Sequence, residues 1–173
     1  MNKIISDLQD FARPLKPELV EVDLCSAIPQ LVATVNVPNN IQAMAACDSG
    51  LPKIKLDLTF LKRILVNLAT NAIQAMPYGG ELKIEANPVI LPSPEGSKQN
   101  FIKVVVSDSG KGIPPQILPN IFDPFFTTKP KGIGLGLSIT YQIIKKHGGT
   151  IKVHSQWEKG TSFTINLPET FEN

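Results

Sequence analysis

Asp57 to Met76 reads DLTFLKRILVNLATNAIQAM, and this stretch decides the fold. At about 100° per residue, Leu61, Ile64, Leu65, Leu68 and Ala72 fall on one face of a helix, an apolar stripe suited to packing on a sheet. Asp57 is its predicted N-cap, and the turn Pro77-Tyr78-Gly79-Gly80 ends it. Asn67, Asn71 and Gln74 form a second stripe, roughly a quarter-turn from the first. A polar stripe beside a buried face is where a cleft can open. Taken alone, the helix equally allows amides on an ordinary wet flank.

Working outward from this helix, Glu81 to Ala86 alternates polar and apolar residues, as a strand with one wet face does, and Phe101 to Ser107 is a more apolar and more central strand. Between them Pro88 to Asn100 is rich in Pro, Ser, Gly and charge and reads as a mobile hairpin loop. Downstream, Ser138 to His147 reads as a helix, followed by strands Thr150 to Ser155 and Ser162 to Leu167. Upstream, Val20 to Leu24, Ile41 to Cys47 and Lys53 to Leu56 read as short strands. Ser26 is the predicted cap of a helix to about Asn36, with Pro29 in its first turn. Residues 1–13 carry Ile4, Ile5, Leu8, Phe11 and Ala12 at helical spacing, stopped by Pro14 and Pro17. Short connections favour antiparallel neighbours. The expected fold is therefore α+β, a two-layer α/β sandwich whose mixed, mostly antiparallel sheet of about five strands carries three main helices on one face.

With 173 residues, 42% of them hydrophobic, the chain can enclose one core. Its 17 basic and 15 acidic residues are dispersed and leave a net charge of +2, so no basic run exists to neutralise a row of phosphates, and nucleic acid is not an expected partner. No stretch approaches the roughly 18 apolar residues that span a bilayer, so no membrane contact is expected of this domain. The expected place is the cytoplasm. Cys25 and Cys47 lack a CxxC spacing or nearby histidines and read as buried thiols, neither metal site nor disulfide.

Four short segments carry chemistry: NLATNA from Asn67 to Ala72, DSGKGI from Asp108 to Ile113, FDPFF from Phe122 to Phe126, and KGIGLGL from Lys131 to Leu137. In this order and spacing they resemble the N, first glycine, F and second glycine boxes of the GHKL ATPase and kinase superfamily, which includes gyrase, heat-shock chaperones and sensor histidine kinases. The resemblance covers residues 18–168 and is nearest to the ATP-binding catalytic domain of the kinases. It implies a domain division, with 1–17 the end of a dimerisation and phosphoacceptor helical domain and 18–173 the ATP-binding domain.

Magnesium takes oxygen ligands and is often held by one or two protein groups plus phosphates and water. The resemblance assigns metal coordination to Asn71, with Asn67 one turn earlier helping to hold the metal, its waters or the phosphates. Asp108, at a strand end, would accept a hydrogen bond from the adenine amino group, where guanine would present a carbonyl oxygen. Gly110 and Gly112 let the backbone approach a planar ligand. The glycines from Gly132 to Gly136 precede a helix start, whose amides favour bound phosphate, and read as a lid. Lys129 is the first choice for a phosphate-contacting lysine, with Lys131 second. The resemblance further places Ala75, Ile113, Phe122, Thr128, Gly134, Leu135, Leu137 and Thr161 about the bound ATP, Thr161 approaching the adenine.

Hydrolysing members of the superfamily resemble Glu-x-x-x-Asn, in which the glutamate activates water. Here that position is Asn67, whose neutral amide cannot take a proton. The implied reaction is slow hydrolysis and transfer of the γ-phosphoryl to a protein histidine, catalysed by Asn67, Asn71 and Lys129 through positioning and charge neutralisation. His147 and His154 lack acidic neighbours of the acceptor type and read as structural or surface residues, so the chain alone is not expected to phosphorylate itself. Implied partners are the phosphoacceptor helical domain, a downstream response regulator, and a second copy only in the full-length kinase. A stand-alone serine kinase of the anti-sigma type and a noncatalytic nucleotide sensor are the rival readings. Two positions depart from the commonest kinase pattern: Gln74, where lysine is frequent and which resembles a nitrogen-regulation branch, and Ile133, where threonine is frequent.

Overall fold

Asp57 caps its helix through the side chain, its carboxylate accepting from the N–H groups of Thr59 at 2.8 Å and Phe60 at 3.2 Å. In the computed structural model, which describes residues 17–92, 98–130 and 132–169, that helix is α2, Leu58–Ala75. It follows β1 (Val20–Val22), α1 (Leu24–Ala33), β2 (Ile41–Cys47) and β3 (Ile54–Leu56). After it come β4 (Gly80–Pro92), β5 (Lys98–Asp108), a 3-10 turn at Leu118–Asn120, α3 (Gly136–Lys146), β6 (Thr150–Gln156) and β7 (Gly160–Pro168).

The main sheet has five strands in the order β2-β4-β5-β7-β6; β2 and β4 run parallel and the other pairs antiparallel. β1 and β3 form a separate antiparallel pair. Alternation along each strand turns one set of side chains to a single face. Register then lines them up across the sheet: Ile84, Val106, Phe163 and Val153 in one row, and Ala86, Val104, Ile165 and Ile151 in the next. These rows join Leu61, Ile64, Leu65, Leu68 and Ala72 of α2 and Ile139 and Ile143 of α3 in one buried cluster. α2 packs over β4, β5 and β7, α3 over β6, and α1 over β2 and β4. On the other face Lys83 and Glu85 pair at 2.9 Å, partly exposed. The expected mixed sheet of five strands with three helices is the one observed.

Three expectations are corrected. Ser26 does not cap α1; Asp23 does, accepting from the N–H of Cys25 and from the Ser26 hydroxyl, both within 2.9 Å. The hydroxyl therefore serves the cap as a donor, and its hydrogen bond holds the Asp23 carboxyl below its ordinary pKa. Pro29 consequently lies inside α1 and not in its first turn. Second, Pro88 to Asn100 is mostly not a loop, because β4 and β5 stay paired as far as Pro92 opposite Lys98. β2 covers β4 only to Ala86, so Pro88 and Pro92 lie where β4 has a free edge and a missing N–H costs no ladder bond on that side. Third, Cys25 and Cys47 are half-buried and joined in a disulfide, with Cα atoms 5.4 Å apart. The earlier start of α1 sets Cys25 beside the end of β2, across 22 residues of sequence. Of the helical stump expected over residues 1–17, all but Pro17 lies outside the described residues.

Candidate functional site

The apolar rows of the sheet end in a polar one. Leu82 pairs with Asp108, Asp108 with Thr161, and Thr161 with Ser155, all on the face that carries the core. The Thr161 and Ser155 hydroxyls lie 3.0 Å apart, and the N–H of Ile113 donates to Ser155 Oγ at 2.8 Å. Ser155 escaped the sequence reading. The signal was the inward series Ile151, Val153, Ser155, whose last member is polar.

Asp108 is half-buried at the mouth of this row. Burial raises its pKa above the ordinary value of 3.8, and the N–H groups of Gly110 and Thr161 partly offset the rise. The Gly110 bond to Asp108 Oδ1 is 2.8 Å long. The same turn is tied to the end of α2, where the N–H of Lys111 donates to the Ala75 carbonyl at 3.1 Å. On its other side the N–H of Glu158 donates to the Lys111 carbonyl at 2.7 Å, and Gly112, at φ +69°, packs against the backbone of Gln156. A β-carbon at Gly112 would strike that backbone, so the turn closes only with glycine.

Along α2, Asn71 stands one turn before Ala75 and hence beside the Asp108 turn. Its Oδ1 accepts from Lys129 Nζ at 2.6 Å, and the same ammonium donates to Gln74 Oε1. Asn67, one turn earlier, meets α3, its Nδ2 donating to the buried Thr140 hydroxyl at 2.9 Å. A β-carbon on Gly136 would collide with Asn67 Oδ1, so the glycine that opens α3 lets the two helices meet.

Phe122 lies tilted against Tyr141 at 5.6 Å and edge-on to Phe163 at 6.4 Å between ring centres, and packs against the core. From this anchor the chain reaches Phe125, 59% exposed and at φ +67°, whose N–H donates to the Gly134 carbonyl at 3.0 Å. Lys129 projects from a tight turn in which its N–H donates to Thr127 Oγ1 at 3.0 Å and Gly132 N–H donates to the Lys129 carbonyl at 3.1 Å. Thr128 is exposed. Leu135 is 1% exposed and Leu137 packs on the core, so both side chains serve the interior. Lys131 lies outside the described residues. Thus Asn71, Ala75, Asp108, Gly110, Gly112, Ile113, Thr161 and Lys129 gather around the end of α2.

His147 is buried at the end of α3, its Nδ1 2.8 Å from the Ile143 carbonyl and its ring edge-on to Phe60 at 5.7 Å. His154 is exposed on β6 and alternates with Ser155, so it faces away from the polar row. Among the described residues no helix is long and apolar enough to cross a membrane, and no group of three His, Cys, Asp or Glu residues could hold a metal ion.

The family of histidine kinase-, DNA gyrase B- and HSP90-like ATPases matches residues 56–170. The chain belongs to this family. The sensor histidine kinase ZraS of Escherichia coli K12 is 39% identical over 97% of the chain, which spans 35% of that protein. The mycobacterial sensor histidine kinase MprB has the same fold, with a TM-score of 0.72 and 29% identity over 89% of this chain and 99% of that one. Histidine kinase ThkA, solved in complex with response regulator TrrA, gives a TM-score of 0.73 at 28% identity, covering 97% of this ATPase-family chain and 47% of that chain. The family boundary at residue 56 falls at the cap of α2, the helix that carries both asparagines.

Proposed function

We propose that this domain binds Mg-ATP between α2, the Asp108–Ile113 turn and the Thr127–Gly136 segment, and passes the γ-phosphoryl group to a histidine on a helical domain. Residues 1–17 are read as the end of that helical domain and 18–173 as the ATP-binding unit of a cytoplasmic kinase. One observation carries the proposal: a half-buried carboxylate and an asparagine bonded to a lysine ammonium lie along one edge of α2, linked through Ala75 and Lys111. This supports a ligand with a hydrogen-bond donor at one end and anionic oxygens at the other.

Asp108, flanked by Thr161 and Ser155, accepts from the adenine amino group, with Gly110, Gly112 and Ile113 against the base. At the other end Lys129 neutralises phosphate charge, and the backbone of Gly132 to Gly136 closes over it. Asn71 fits a magnesium ion, since its amide oxygen already takes a cation, and metal bound there would neutralise the triphosphate. Asn67, held by Thr140, keeps α3 in register on α2 and presents no carboxylate to activate water. An acceptor imidazole nitrogen then bonds to the γ-phosphorus as the bond to the β,γ-bridging oxygen breaks and ADP leaves. A response regulator is the partner expected to take the phosphoryl group next, as the ThkA complex with TrrA supports.

Calorimetry with magnesium and ATP or GTP tests the site, with ATP favoured by about 100-fold or more. Labelled ATP mixed with the chain and a separate histidine-bearing helical hairpin tests the reaction and should give acid-labile phosphate on the hairpin. No ATP binding, or label on serine, overturns the proposal.

A further inference from the structure

Asn71 and Gln74 stand three residues apart on α2, and their side-chain oxygens converge on one donor, Lys129 Nζ. The lysine reaches them from a turn stiffened by the Thr127 hydroxyl and by the Gly132 N–H. In this conformation a cation from the protein's own chain already engages the oxygen of Asn71. An ammonium has three donors and no acceptor, and both amide oxygens present lone pairs to it.

We propose that Gln74 is a positioning residue which, together with Asn71, latches the Lys129 turn onto α2 in the nucleotide-free protein, so that Lys129 must leave Asn71 before another cation takes its place. The second half of this statement rests on the proposed nucleotide site; the latch itself does not. Gln74 sits on the outer, exposed side of the pair and Asn71 on the half-buried inner side. Gln74 therefore sets how firmly the lysine is held without itself lying beside the Asp108 turn. Opening of the segment and occupation of Asn71 become one event, because the same oxygen serves both.

Amide hydrogen exchange on the nucleotide-free protein tests the latch, read over residues 127–136 with β5 as the control for intact folding. Gln74→Leu should speed exchange there about three- to tenfold, the range of one ordinary hydrogen bond, because water screens the charge at this exposed position. Gln74→Glu, which turns the contact into an ion pair, should slow it by a similar factor. A filler role in the helix would move both variants the same way. Unchanged exchange in both variants, or shifts of one sign, overturns the latch. In the same series Gln74→Glu should weaken apparent Mg-ATP binding by the factor by which it lowers the open population read from exchange, since ligand meets only the unlatched fraction. Opposite exchange shifts in a protein that binds no nucleotide would keep the latch and remove the nucleotide site.

Discussion

At the scale of single residues, Asp108 is a carboxylate that the fold holds against the cost of burial. Its carboxylate is held half-buried at the end of an apolar series, and burial lifts its pKa. A raised carboxyl pKa means the charged form is worse off folded than unfolded, so the side chain contributes most below the ordinary value of 3.8 and loses that contribution as pH rises through the folded pKa. Asp108→Asn keeps an oxygen for the Gly110 N–H but removes the charge. It should leave thermal stability at pH 7 unchanged or slightly raised, by under about 1 kcal/mol given the partial exposure, and that gain should vanish below pH 4. ATP affinity should fall at least about 100-fold, because an amide nitrogen there opposes the adenine amino group. Melting curves at pH 7 and 3.5 with parallel calorimetry check both halves. A loss of stability at pH 7 would contradict the burial argument. Asp108 was legible because Asp-Ser-Gly follows an apolar strand. Ser155 was not, since only strand register brings it beside Thr161.

Among the elements, α2 was readable because local and global signals agree on it: a 3.6-residue period, an aspartate cap and a Pro-Gly exit. The β4–β5 hairpin was misread because Pro88 and Pro92 signal a loop wherever a strand has two neighbours, and nothing local reveals that β2 stops covering β4 at Ala86. The disulfide was misread for a similar reason. The approach of Cys25 to Cys47 follows from where α1 starts, and that is settled by Asp23, whose carboxylate accepts from the N–H groups of Cys25 and Ser26. The bridge lies at Cys47 opposite Ala86, four residues along β4 from the Leu82 to Asp108 row, or about 13 Å from the site. It should therefore act on stability and not on ligand binding. Reductant or Cys25→Ser should lower unfolding free energy by up to about 3 kcal/mol, as expected for a loop of this length, with ATP affinity within twofold of the parent. Denaturant melts with and without reductant measure this, and insensitivity of the parent to reductant would show that the pair is not bonded in solution.

For the molecule as a whole, one sheet face supplies both core and site. The rows through Ala86 and Ile84 are apolar and lie under the helices; the next row, through Leu82, brings Asp108, Thr161 and Ser155 to the edge of α2. That arrangement explains how residues from boxes far apart in sequence come to share one edge of α2, while the contact of Lys129 to Gln74 has no signature in the sequence. It also fixes where each histidine lies relative to the proposed γ-phosphoryl group. His147 is buried with Nδ1 against the Ile143 carbonyl, and His154 sits on the strand face opposite to Ser155. Neither can reach Lys129 and Asn71 without unfolding α3 or turning β6 over. The chain incubated alone with labelled ATP and magnesium should therefore gain no acid-labile phosphate, even at long times. Label should appear only when a separate acceptor hairpin is supplied, and His154→Gln should transfer it as fast as the parent. Acid-labile phosphate mapped to His154 in the isolated chain would mean that two copies bring β6 of one to the cleft of the other, and the acceptor would have to be sought within this domain.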